Sequence, residues 1–523
     1  MRKKIFVTGL ALVSFISMQA GGLLTNTNQN VAFLRNPARG ASIEIDAAYT
    51  NPAGLAFLKK DGFFFSLNNN SAFQTRTTTA DFAPFAGFGG SAVKEFEGKA
   101  KALIIPNLQA AYKTGDWVFS TNIGVVGGGG TIDFSKGLPS FESGVAMIPL
   151  SLSSKDIPTN KYLLESSFKG SQIIYGIQLG ATYKINDNFS AYLGARANIL
   201  KNSYDGFIRN IQANVGGGSM TNLHQYFTNA AAQAQGTVSS LQQFVAGGAG
   251  SYTLSQLVAS GQLQQAQVEQ MSKGLSTANN IVDAGALTVL EAQGAFNNKA
   301  ESAEGTANQT ADKELVGCKQ SGFGIAPILG FNFNYDKLNI GVKYEFQTKV
   351  DVKNKTKLND ISPVFKDGEK TPNDIPALLT VGAQYDILPQ LTASVGYHHF
   401  FDSNAKMLND KQKYINGGIN EYLVGAEYRI NDMFLVSCGT QFTRTGVTDD
   451  YQSDMSFSLN SYTIGFGGAI NVTENTRINL AYIFTNYSDW KKVSSNYYDK
   501  PMQGTDVFSR TNKGFGIGVD FRF

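Results

Sequence analysis

The chain has 523 residues, including 55 Gly, 37 Phe and 22 Tyr, with 16% charged residues and a formal charge of +3. Arg2, Lys3 and Lys4 carry that excess within a twenty-residue start that has no acid, so the remainder is neutral and no nucleic-acid partner is expected. Two distant cysteines make no disulfide framework, and the absence of CxxC, HExxH and P-loop patterns leaves no motif for a metal, a cofactor or an enzyme; none of the three is expected.

Residues 1–20, "MRKKIFVTGLALVSFISMQA", have the basic start, apolar run and small-residue end of a secretory signal, with too short a run for a membrane span. Residues 21–61 follow. They are too short for a core of their own and too apolar for a disordered tail. Asn36-Pro37 and Asn51-Pro52 mark turns, Ala53 and neighbouring alanines suit close packing, and Gly40 and Gly54 allow tight reversals or wall contact. The segment reads either as a plug inside a larger structure or as a linker with turn residues.

From Gly62 onward, segments of about ten residues alternate apolar and polar, the signature of a transmembrane β-barrel. The first is "GFFFSLNNNSAFQ", 62–74. Segments near 101–114 and 116–127 meet at "TGD". "SQIIYGIQLGATYKI" and "FSAYLGARANILK" meet at "NDN", and "SGFGIAPILGFNFNY" turns at "DK" into "LNIGVKYEFQTKV". Later pairs turn at "LPQ", "ND" and "TEN", and "KGFGIGVDFRF" ends the chain. This predicts an all-β, 14-stranded antiparallel barrel over 62–523, with tight turns and long loops alternating. Both chain ends then fall on the short-turn, periplasmic side of an outer-membrane barrel. Leu338, Ile340, Val342 and Tyr344 should face lipid, opposite Asn339, Gly341, Lys343 and Glu345. Tyr183, Tyr344 and Tyr428 are expected in an aromatic belt near the turns. Cys318 reads as a loop residue and Cys438 as a strand residue, both free thiols.

Residues 213–317, between the fifth and sixth strands, change character. Ala, Gln, Leu and Ser dominate, and Leu254, Leu257, Leu263 and Val268 recur near helical spacing. Two to four amphipathic helices over the extracellular mouth are expected, as a capture surface, a lid or a docking surface for a second protein.

"RGAS", "DAAYT" and "NPAGLA", within 39–56, resemble the hatch of the FadL/TodX family of outer-membrane channels for hydrophobic compounds. The fourteen strands and the aromatic end at Phe523 are similar too. The resemblance implies a luminal hatch that includes Asn36, Pro37, Asn51, Pro52, Ala53 and Gly54. It also implies Phe523 as a terminus read by the outer-membrane assembly machinery, and passive uptake of long-chain fatty acids or aromatic hydrocarbons. In that family a kinked third strand opens the wall sideways. Here that strand runs into Gly127, Gly128, Gly129 and Gly130, which fits a kink or a flexible loop start. A fatty-acid carboxylate would seek a cation. Arg196 and Lys343 are the inward candidates, and both also suit luminal ion pairs with Glu345 or Glu427. The expected partners are the bilayer and a hydrophobic small molecule, with the chain a monomer. A general diffusion porin and an adhesin or structural barrel are the alternative readings.

Overall fold

The structure is a computed structural model that describes residues 23–26, 28–87, 90–279 and 283–523; the signal-like 1–20 lie outside the described residues. Period-two alternation becomes a wall because each strand has one face for lipid and one for the lumen. The barrel strands are β1 (Gly62–Phe82), β2 (Val93–Thr114), β3 (Trp117–Phe134), β4 (Tyr162–Lys184), β5 (Phe189–Ala213), β6 (Lys313–Tyr335) and β7 (Leu338–Glu345). They continue as β8 (Leu378–Leu388), β9 (Leu391–Phe400), β10 (Ile419–Arg429), β11 (Phe434–Arg444), β12 (Ser461–Thr473), β13 (Thr476–Tyr487) and β14 (Gly504–Arg522). Each pairs antiparallel with its neighbours, and β14 pairs with β1 from Phe64↔Arg522 to Phe82↔Gly504, which closes fourteen strands into a barrel without an edge.

The alternation holds across the lipid band. Phe323, Ile325, Leu179, Leu193, Phe515 and Ile517 are exposed on the outside, while Gln178, Arg196, Asn332 and Lys343 are buried within. Tyr183 and Tyr428 sit beside short turns as expected, but Tyr344 lies at the far end of β7, where it packs edge-on with Phe346 and Phe401. The turn at Asp336–Lys337 precedes β7, so Tyr344, near the strand's last residue, stands at the end away from that turn. β6 begins at Lys313, so Cys318 is a buried strand residue rather than a loop residue. Polar "KELVGCKQ" extends the wall beyond the lipid band, where apolar alternation no longer marks a strand. Cys438 is exposed, and both thiols are free.

At the chain end, Phe523 and Phe63 exchange backbone hydrogen bonds of 2.9 and 3.0 Å. The exposed Phe523 ring stacks with Phe521 and meets Phe65 edge-on.

Residues from Asn28 to Leu58 fill the short-turn half of the lumen, and Leu23 reaches Asp402 in the long loop after β9. Helix α1 (Val31–Arg35) is capped by the Asn30 side chain, which accepts from the Ala32 N–H. Helix α2 (Ala47–Thr50) leads into a 3₁₀ segment, Pro52–Phe57, with Pro52 at its start. Between them, Arg39 makes two bonds to the Asp46 carboxylate, at 2.5 and 2.8 Å, and a third to Ser42, at 2.9 Å. That pairing folds "RGASIEID" back on itself with no apolar core of its own.

Helix α3 (Pro139–Ser153) follows β3. The insert between β5 and β6 forms α4 (Leu223–Ala246), α5 (Leu254–Ala259), α6 (Gln265–Asn279) and α7 (Val289–Thr310). Thr253 and Thr288 close capping boxes with Gln256 and Glu291. Leu254, Leu257, Leu263 and Val268 pack with Leu241, Leu275 and Phe296 into a core that belongs to the insert alone. The buried apolar faces of the helices are therefore spent on one another, while Phe227, Phe244 and Met271 remain on the side that faces the barrel mouth.

Candidate functional site

The luminal segment is seated by wall glycines. A Cβ on Gly382 would stand 2.3 Å from the Gly40 carbonyl carbon, and one on Gly425 would stand 1.9 Å from the Asn36 side-chain oxygen. Gly341 and Gly465 admit the same segment at comparable range, a Cβ there standing 2.5 Å from the Gly40 carbonyl oxygen and 2.1 Å from that of Leu34. Only the missing side chain lets backbone approach backbone there. Among the residues expected in the hatch, Asn36 donates to Ser394 at 3.3 Å, and Pro37 packs where a Gly439 Cβ would fall. Asn51 donates to the Ser42 carbonyl at 3.0 Å, the Pro52 carbonyl accepts from Thr182 at 2.8 Å, and that of Ala53 accepts from Ser190 at 2.7 Å. Gly54 leaves room for Asn51, which a Cβ would approach to 2.4 Å.

Charge locks this seat. Arg35, fully buried, reaches Glu427 of β10 at 2.5 Å and Ser437 of β11 at 2.6 Å. Arg39 lies 3.4 Å from the same Glu427 oxygen, and Glu44 pairs with Arg477 of β13 at 2.8 Å. Burial works against the Glu44 charge, but Arg477 and Arg39 outweigh it and hold the carboxyl well below the ordinary range. Arg196 bonds Glu345 at 2.5 Å and Gln178 at 2.6 Å and lies over the Tyr49 ring; Lys343 donates to the Tyr49 carbonyl at 2.9 Å. Both expected ligand cations thus stand against the luminal segment, in the ion-pair arrangement that was their other reading. His398 pairs with Glu421 at 2.8 Å, while the Ser394 hydroxyl bonds the Gly425 carbonyl. No group of three or more metal-ligating side chains occurs among the described residues.

The wall is interrupted between β2 and β3. Pairing runs from Thr114↔Trp117 to Asn107↔Gly124, lapses, and resumes at Ala100↔Ile132. β3 shifts register against β4 on both sides of Gly127–Gly128, with Gly128 at φ +65° and Gly129 at φ +139°. The four glycines are thus strand residues at a kink, not a loop start. Backbone groups released by the break are met from both sides. Outside, Ser71 and Asn69 donate to the Leu103 carbonyl at 2.7 and 3.3 Å. Inside, the Asn26 N–H donates to the Val126 carbonyl at 2.8 Å, and its side chain donates to Gly128 at 2.7 Å. The beginning of the described luminal segment therefore seals the break.

At the other end, a cleft of 2280 Å³ opens between α3, the insert and the loops. Phe141, Ile208, Phe227, Phe244, Met271 and Met455 line it among many Gln and Lys side chains. Phe141 and Met455 also belong to a buried apolar cluster that runs through Phe134, Phe168 and Ile132 to Ile105 and Val125 at the break, and to Val31 and Leu34 of the luminal segment.

Sequence reasoning found the plug and the glycine run but missed the wall glycines and the ion lock. The glycines were visible at mid-strand on the inward face in "TVGAQ", "LVGAE", "SCGTQ" and "GIGVDF". No sequence signal pairs Arg35 with Glu427, which lies 392 residues away.

A closed barrel with a lipid-facing outside and a lumen filled by its own N-terminal segment is the fold of an outer-membrane β-barrel protein. No family model and no curated protein matches the chain by sequence. Among solved structures it is similar to a Pseudomonas aeruginosa FadL homologue, at 11% identity over 96% of this chain and 100% of that one, with a TM-score of 0.57. It is also similar to the TodX deltaS2S3 mutant monoaromatic hydrocarbon channel, at 14% identity over 94% of this chain and 99% of that one, with a TM-score of 0.50. The chain thus has the FadL-type fold.

Proposed function

We propose that the protein is an outer-membrane channel of the FadL/TodX type for passive uptake of hydrophobic compounds. The solute enters at the cleft under α3 and the insert, passes along the apolar cluster, and leaves sideways between β2 and β3. The observation that carries this reading is the continuity of that cluster from Phe141 and Met455 at the cleft to Ile105 and Val125 at the break. An apolar route repays about 0.8 kcal/mol for each methylene it shelters from water. A water-filled pore offers no such gain. The segment 23–58 acts as the hatch. Because Asn26 bonds Val126 and Gly128, movement of the hatch start and opening of the break are one event. The short turns and both chain ends face the periplasm, the insert faces outward, and Phe523 is the residue that assembly machinery reads.

The test is uptake in proteoliposomes of a labelled alkane-like solute against a sugar of similar size, with conductance measured in planar bilayers. Selective uptake of the apolar solute with little steady current supports the reading. Large steady currents with no preference would establish a general diffusion porin instead.

A further inference from the structure

We propose that five lysines on the outer face of the barrel, Lys201, Lys319, Lys353, Lys355 and Lys370, form a docking surface for the phosphate groups of lipids in the surrounding leaflet. Beyond β7, two short strands, Asp351–Lys355 and Lys370–Pro372, continue the wall beside β6. The register places the lysines in two adjacent rows across that wall. One row runs Lys201↔Ser321, Ser321↔Lys353 and Lys353↔Lys370. The next runs Ser203↔Lys319 and Lys319↔Lys355. The residues that alternate with them, Leu200, Gln320, Val352, Asn354 and Thr371, are buried on the inner face. All five lysines therefore point outward, and each is exposed.

A sheet does not gain by this arrangement on its own. Lys319 with Lys355, and Lys353 with Lys370, are like charges placed directly opposite, which is unfavourable in an antiparallel pair. Among the described residues none of the five makes an ion pair, whereas cations nearby do: Lys169 with Asp133 at 2.9 Å and Arg209 with Glu165 at 3.0 Å. Acids on the same face do not balance the charge. Asp205 accepts from the Gly317 N–H at 2.7 Å, and Asp351 adds a single exposed carboxylate. Strands stand about 4.8 Å apart and successive outward residues about 6.7 Å apart, so the five flexible side chains can converge on one headgroup. An external oxyanion supplies the missing negative charge and accepts from several ammonium groups together.

The position of the rows says what carries the anion. The row immediately toward the short turns is Tyr175↔Ile199 and Ile199↔Phe323, all outward-facing. From Phe323 the outward face of β6 stays apolar through Ile325, Pro327, Leu329 and Phe331 to Phe333. That run covers about 33 Å of strand, or about 25 Å of height at a tilt near 40°, which is the height of the lipid-facing band of an outer-membrane barrel. The lysines therefore stand one row beyond the hydrocarbon, at the level of the headgroups. Their stems can lie along apolar surface there while the ammonium groups stay in water. Clustered lysines at that level attract anionic lipid, and phosphate is the anionic group that membrane lipids present there.

This surface requires the barrel to span a membrane, not any particular solute to pass through it. Full-length protein in detergent is titrated with lipid A, a diphosphorylated glycolipid, with the same lipid dephosphorylated, and with inorganic phosphate; bound molecules are counted by native mass spectrometry. One variant carries Lys319→Gln, Lys353→Gln and Lys355→Gln. A control carries Lys169→Gln and Arg209→Gln, the neighbouring paired cations, and heat-modified gel mobility checks the fold of both. The phosphorylated lipid should bind wild type and control alike and the triple variant at least about tenfold more weakly. Added salt should weaken the wild-type interaction, and the dephosphorylated lipid should bind all three proteins weakly. Equal binding of the phosphorylated lipid by wild type and triple variant, an equal loss in the control, or binding that ignores the phosphates would overturn the surface. Inorganic phosphate bound as tightly as the lipid would replace the lipid with a small free anion and overturn it too. A second measurement compares unfolding midpoints. Lys355→Gln removes one of two opposed cations, so without lipid it should be at least as resistant to unfolding as wild type, and with phosphorylated lipid it should be the less resistant of the two. A lower midpoint for the variant without lipid would contradict the proposal.

Discussion

Replacing Glu427 with Gln tests the ion lock that seats the hatch. Glu427 holds Arg35 at 2.5 Å and Arg39 at 3.4 Å with one carboxylate oxygen. Arg35 has little else: its Nε and Nη2 are buried without partners, so Nη1, shared between Glu427 and Ser437, carries its anchoring. Removing one partner of a buried pair costs about 3–5 kcal/mol, because the remaining charge stays buried uncompensated. Glu427 keeps 17% of its side chain exposed, and Arg39 retains Asp46, so the lower end applies, about 3 kcal/mol. The barrel ladders do not depend on the pair, so the cost falls on hatch docking. That corresponds to roughly a hundredfold rise in the undocked population. Hydrogen exchange followed by mass spectrometry should show protection of residues 31–39 falling by about that factor, while the β4–β5 amides are unchanged. The double variant Arg35→Met, Glu427→Leu should restore most of it, since an apolar pair of similar volume carries no buried charge. Unchanged exchange in the single variant, or equal loss across the barrel wall, would refute the reasoning.

Gly382→Val places side-chain atoms where the Gly40 backbone runs, at an overpacking cost of about 1–3 kcal/mol; residues 38–43 should lose exchange protection while heat-modified gel mobility stays normal. Gly128→Ala meets both φ +65° and a Cβ 1.9 Å from the Gln172 carbonyl oxygen, so the kink must give way; uptake of an apolar solute should fall more than folded yield. Asp402, in the loop after β9, accepts from the Leu23 N–H at 3.4 Å, and burial pushes its carboxyl up from 3.8 to about 7. The folded chain then holds a proton that the unfolded chain has lost, so stability falls as pH rises from about 4 through 7. Asp402→Asn should flatten that part of a pH–stability curve, and an unchanged slope would remove Asp402 as its source.

The strand pattern was legible because lipid on one side and a polar lumen on the other impose a strict period of two, as in "LNIGVKYEF". Strand ends were less legible. β1 runs on to Phe82 and β6 starts at Lys313, and beyond the lipid band both faces become polar. The turns of the hatch could be read from Asn-Pro, but its seat could not, because Gly382 and Gly425 look like any strand glycine until the segment they admit is in place. Arg196 and Lys343 showed the same limit. Their inward direction was readable, and their partners, Glu345 and the Tyr49 carbonyl, depend on which segment fills the lumen. For Gly127 to Gly130, composition signalled a bend, and only the lapse in β2–β3 pairing distinguishes a kink within a wall from a loop.

The most direct test of the route is photo-crosslinking with a diazirine-bearing hydrocarbon, with adducts mapped by mass spectrometry on protein in nanodiscs. The proposed route predicts adducts at Phe141 and Met455 and at Ile105 and Val125. Adducts confined to lipid-facing residues such as Phe323 and Leu179, with none along the apolar cluster, would contradict it.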